Sequence, residues 1–176
     1  MLILLYHFFE REKTMKKILH ISIFVCLTLT LISCDFSQTE PKEFSGSGIT
    51  ITLDDSFQEK NTMIVTFYLE SFDYIFTGER EEKSLFVGSD IDNLEEYADA
   101  VLEYSGNNDI EVLESEDGSY LYAYYTAVVD EDEFGYMLVC MESNDYYYVM
   151  NFACFEDELE DNKERFFDWA DTIIIE

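Results

Sequence analysis

Histidine is almost missing from this chain of 176 residues: His7 and His20 are the only two, and none follows Ser33. That shortage removes, from everything downstream, the imidazole needed for Ser-His or Cys-His nucleophile activation and for histidine-based zinc sites. Bases are scarce too, with 10 Lys and Arg against 39 Asp and Glu and a formal net charge of −29. Arg11, Lys13, Lys16 and Lys17 all precede residue 34, where only Glu10 and Glu12 oppose them, so the remainder is more acidic still. Such a surface repels phosphate backbones and anionic head groups, which argues against nucleic-acid binding. It favours cations and basic protein partners, or simply keeps a domain solvated. The chain is nevertheless far from the disordered class, because 13 Tyr and 15 Phe recur among aliphatic residues along its length.

The first 34 residues read as an address. Lys16 and Lys17 open a positive segment, Ile18–Thr30 is apolar, and Leu31-Ile32-Ser33-Cys34 closes it, the layout of a secretory signal. About 16 residues separate Lys17 from Cys34, fewer than the roughly 20 that a membrane span needs. A charged segment normally opens such a leader, which points to Met15 as the start. Leu31 to Cys34 resemble the bacterial lipobox: a Leu, a tolerated residue, a small residue and an obligatory Cys. The resemblance implies that residues 1–33 are removed, that Cys34 is lipidated with a diacylglycerol, and that the remainder is anchored to the cell envelope outside the cytoplasm. One acyl chain binds only marginally, at about 0.8 kcal/mol per buried methylene, so two or three chains would hold it stably. Residues 34–47, polar and carrying the single proline Pro41 with a Gly/Ser tail, read as a flexible tether.

From residue 48 to 176 the pattern is that of one α+β domain. Ile49, Ile51 and Leu53 alternate with Thr; Met63–Leu69 and Phe72–Phe76 read as strands, followed by "GEREEKS" as an exposed loop. Asp92, with Glu95 three residues on, suits a helix start, and Leu94, Tyr97, Ala98, Val101 and Leu102 form its apolar stripe. Gly106 suits the left-handed C-terminal position. Ile110–Leu113 and Tyr120–Val129 flank a tight Asp117-Gly118 turn, "DEDEFG" turns the chain again, and Tyr136–Met141 and Tyr146–Phe155 flank Asn144-Asp145. A last helix spans Glu156–Asp171, with acids in its first turn and Leu159, Phe166, Ala170 and Ile173 as its buried line. "TIIIE" suits a short closing strand.

Antiparallel strands with segregated helices mean an antiparallel sheet with two main helices packed on it. The segments "DNLEEYADAVLEYSG" and "YYYVMNFACFEDELEDNKERFFDWADTI" resemble the PsbP-like α/β/α sandwich domains found in exported bacterial lipoproteins. The resemblance lies in element order and apolar pattern over roughly residues 47–175. It implies an accessory or assembly role through partner binding, and it carries over no site residue.

Candidate chemistry is thin. A two-residue loop at Asn144-Asp145 sets Cys140 opposite Val149 and Cys154 opposite Gly135. The two thiols then lie roughly 16 Å apart, on opposite faces of the sheet, beyond the about 7 Å between α-carbons that a disulfide tolerates. Asp130 and Asp132 have the spacing of the first two ligands of a calcium loop, with Gly135 in sixth place. Phe134 and Met141 occupy later ligand positions, so the EF-hand pattern fails and a solvated turn is the stronger reading. Carboxylate pairs for glycoside hydrolysis are defined in space, and among 39 acids any pair is near chance. Tyr120, Tyr122 and Tyr124 share one strand face. They form either a contact surface for a protein or glycan, or core beneath a helix, and the second reading carries more weight. The expected function is therefore a lipid-anchored, extracytoplasmic accessory domain that binds a protein partner with a basic surface, without catalysis or cofactor. The alternatives are a cation- or glycan-binding surface sensor and, behind it, an enzyme working through carboxylates.

Overall fold

Period-two alternation becomes strand almost wherever it occurs. The computed structural model describes residues 39–62 and 65–176; the leader, Cys34 and the start of the tether lie outside them. The strands are β1 (Pro41–Gly46), β2 (Ile49–Asp54), β3 (Gln58–Glu59), β4 (Phe67–Glu70), β5 (Ile75–Glu82), β6 (Leu113–Glu114), β7 (Leu121–Val129), β8 (Asp132–Glu142), β9 (Tyr146–Phe155) and β10 (Ile174–Ile175). The helices are α1 (Leu94–Tyr104) and α2 (Leu159–Ala170). Seven strands form one antiparallel sheet in the order β3-β4-β5-β9-β8-β7-β6, and three form a second in the order β1-β2-β10.

The central strands are buried on both faces. Met137 and Val139 of β8 and Tyr148, Met150, Phe152 and Cys154 of β9 pack with Phe166 and Ala170 of α2 and with Ile49, Ile51 and Leu53 of β2. Leu138 and Cys140 of β8, Ala123 of β7 and Tyr147 of β9 turn the other way, onto Tyr97, Ala98 and Leu102 of α1. The large sheet is thus covered by α1 on one side and by α2 with the small sheet on the other. The α+β expectation stands, although strands dominate and the second sheet shares the α2 layer. The Asn144-Asp145 register is as expected, with Cys140 opposite Val149 and Gly135 opposite Cys154. The two free thiols are buried in different cores, and desolvation pushes them up to about 12 at Cys140 and about 11 at Cys154.

Several expectations need correction. The tether reading of 34–47 fails over Pro41–Gly46, which is strand β1, paired along its length with β2. The Gly/Ser tail is a two-residue hairpin turn, Ser47 and Gly48 having φ of 52° and 70°, the geometry that joins twisted antiparallel strands. The loop reading of "GEREEKS" fails because residues up to Glu82 continue β5 against β9. Partners on β9 and α1 take up the charge: Arg80 lies 4.7 Å over the Tyr146 ring, and Glu81 accepts from the Tyr97 hydroxyl at 2.7 Å. Asn93, rather than Asp92, caps α1: its side chain accepts from the Glu96 N–H, and the Glu96 carboxylate reaches back to the Asp92 N–H. In "DEDEFG" only Asp130 and Glu131 turn, with φ of 51° and 81°; the rest already belongs to β8. Of the strands expected over Met63–Leu69 and Ile110–Leu113, the described parts are paired only from Phe67 and from Leu113.

Candidate partner-binding groove

The β6–β7 hairpin is short, and its turn is locally satisfied. Gly118, at φ 73°, reverses the chain, and the Asp117 carboxylate accepts from the Ser119 N–H and the Ser115 hydroxyl at 3.0 Å each. Bonds from the Ser119 side chain and backbone, then from Ser115, hold Asp117 below the usual carboxylate range. The hairpin stands beside the C-terminal end of α2, and between them lies a groove of about 560 Å³. Tyr122 and Phe167 supply its aromatic surface, with the buried Tyr120 at its floor, and Glu114, Glu116, Asp117 and Asp171 contribute four carboxylates without a single base. The Phe167 ring meets Tyr122 edge-on at 4.9 Å.

The three tyrosines divide between core and surface. Tyr120 is buried at 2% exposure and its hydroxyl donates to Asp171 Oδ1 at 2.9 Å. Its ring is core, which removes it as a freely offered contact. Tyr122 is half-buried on the groove wall. Tyr124 lies under Lys163 of α2, whose Nζ sits 4.7 Å from the ring centre, and its buried hydroxyl finds no partner among the described residues. Asp130 occupies the β7–β8 turn and Asp132 pairs with Val129 in β8. Among the described residues no three His, Cys, Asp or Glu side chains converge as a metal site. A second, smaller hollow of about 310 Å³ lies beside α1, lined by Phe86, Ile91, Tyr97, Val101 and Tyr104 among others. No helix among the described residues is long and apolar enough to cross a membrane.

The sequence reading assigned no site role to Phe167 or Asp171. The Asp117-Gly118 turn signal and the tyrosine face pointed toward the groove, which Tyr120 and Tyr122 line and Tyr124 does not.

No protein-family model matches the chain, and no curated protein matches it. Solved structures do. The cyanobacterial PsbP (CyanoP) of Synechocystis sp. PCC 6803 superposes with a TM-score of 0.54 at 12% identity, over 84% of this chain and 99% of that one. The fold is PsbP-like. A structure from Bacteroides thetaiotaomicron VPI-5482 covers 80% of this chain and 49% of its own, with a TM-score of 0.51 at 12% identity. The Saccharomyces cerevisiae Ran-binding protein Mog1p gives a TM-score of 0.51 at 10% identity, over 78% of this chain and 96% of the yeast one. Identities of this size speak to fold alone.

Proposed function

We propose that this chain is a lipid-anchored, extracytoplasmic accessory domain that binds a basic segment of a protein partner and performs no catalysis. The observation that carries the reading is the groove between the β6–β7 hairpin and α2: four carboxylates around Tyr122 and Phe167, with no base among its lining residues. Lys and Arg side chains suit such a surface twice over, through charge and through the faces of the rings. The same fold in a yeast Ran-binding protein supports a binding role for the architecture, while the partner here is a separate matter. The absence of histidine after residue 33 is consistent with binding rather than hydrolysis.

The test is chemical cross-linking in the source cells, followed by recovery of the tagged chain. Tyr122→Ser and, separately, the exposed Glu116→Gln should each reduce the cross-linked partner severalfold while the far-UV circular dichroism stays unchanged. Salt near 0.5 M should weaken the same complex, since exposed charge pairs are screened. A partner retained equally by both variants and at high salt would rule the groove out.

A further inference from the structure

Strand β7 is paired unequally. On its inner side it meets β8 without interruption, from Leu121 opposite Cys140 to Val129 opposite Asp132. On its outer side β6 covers only Leu121 and Tyr122. The Ser115 N–H donates to the Tyr120 carbonyl, so Tyr120 turns its main-chain groups toward the β6 side. In an antiparallel ladder every second residue does the same, and the unbroken register with β8 carries that parity on to Tyr124, Thr126 and Val128. No hydrogen bond from the described residues reaches the main-chain groups of these three.

Edges of this kind are ordinarily blunted by charge, proline, a bulge or extreme shortness. The other edges here follow that rule. β3 has two residues and is followed by Lys60, and β1 carries Pro41, Lys42 and Glu43. β7 does not. Gly118–Val129 contains no charged residue and no proline in a chain of net charge −29, and Val128 is 66% exposed.

We infer that the outer edge of β7, over Tyr124–Val128, receives an extended basic strand of the partner protein by main-chain pairing; this deepens the partner-binding reading and rests on it. The acids at both ends set the occupant's chemistry. The added strand would run between Asp130, Glu131 and Asp132 at the far end and the carboxylates of the groove at the near end. A second copy of this chain would bring its own excess negative charge to the same place, so repulsion disfavours self-pairing. A partner whose Lys or Arg alternate with β-branched residues meets both demands, the backbone for affinity and the charge for selection.

The experiment uses the full chain in non-ionic detergent and a seven-residue peptide of alternating Lys and Val as probe. Hydrogen exchange over residues 123–129 should slow when the peptide is added. A counterpart N-methylated at every residue, unable to donate along either edge, should fail to bind. Thr126→Pro removes an outward N–H while leaving the β8 ladder intact, and should weaken the peptide roughly five- to tenfold. Thr126→Lys, which keeps the backbone, should weaken it by charge repulsion. Binding indifferent to N-methylation and to both variants would overturn the inference, as would no binding at all. In either case the cross-linking result at Tyr122 and Glu116 stands or falls separately. Dimers in sedimentation, with residues 123–129 protected before any peptide is added, would assign the edge to a second copy and overturn it too.

Discussion

The Tyr120 hydroxyl donates a 2.9 Å hydrogen bond to Asp171 Oδ1, joining the root of β7 to the C-terminal cap of α2. The bond matters because Asp171 puts a negative charge at the helix end that already carries negative partial charge, and no basic residue occupies the last turn to offset it. Burial first, and then this carboxylate, raise the Tyr120 phenol above its ordinary value. Tyr120→Phe should therefore lower stability by about 1–2 kcal/mol in urea unfolding. Tyr124→Phe, which deletes a buried hydroxyl without a partner among the described residues, should be neutral or mildly stabilising. The reverse order would mean that the rings are seated differently.

Gly135 permits the first turn of α2 to lie against β8. A β-carbon there would come within 2.6 Å of Leu159 Cβ and 2.8 Å of Leu159 Cδ2. Because the nearer atom hangs directly on the helix backbone, the clash cannot be relieved by a rotamer change. Gly135→Ala should cost about 1–3 kcal/mol, read as a lower melting temperature. An unchanged melting temperature would show that the helix is not held this close.

Alkaline pH should unfold the domain cooperatively. Desolvation is the leading cause of raised phenol values at Tyr97, Tyr120, Tyr124 and Tyr125, all from an ordinary 10.0. Above pH about 10 the unfolded chain releases these protons while the native state retains them. The native state then binds more protons, so stability falls as pH rises. Melting temperature should decline from about pH 10 upward, with phenolate absorbance appearing together with unfolding. Phenolate absorbance that developed fully in the folded protein near pH 10 would contradict the burial of these rings.

Under the proposed lipid anchor, Cys34→Ala should leave residues 1–33 uncut and no lipid attached, so that detergent phase partitioning moves the protein toward the aqueous phase or strands a longer precursor in the membrane. Native material of unchanged mass and partitioning after this substitution would remove the anchor from the proposed function.

Local turn chemistry made much of the sheet legible. Asn144-Asp145 set the β8–β9 register and with it the separation of Cys140 from Cys154, because a hairpin loop of known length determines every pair that follows. Gly106 marked the end of α1 for the same kind of reason, its φ of 81° being open to few other residues. The failures are equally physical. Ser47-Gly48 has the composition of a linker and of a hairpin turn, and only the pairing of β1 with β2 distinguishes them. The charges of β5 looked solvated because Tyr146 and Tyr97, which accommodate Arg80 and Glu81, are far away in sequence.

By itself, then, the order of amino acids determined the α+β class, the two amphipathic helices, the hairpin registers, the anionic surface and the loss of imidazole chemistry after residue 33. These follow from backbone preference, side-chain period and charge, which act over a few residues or need only be counted. Tertiary structure decided that Tyr120 is core while Tyr122 borders a groove, that Phe167 and Asp171 complete that groove, and that β6 leaves most of β7 uncovered. Those outcomes depend on which distant surfaces exclude water together, a competition among non-local contacts that no short window of sequence contains.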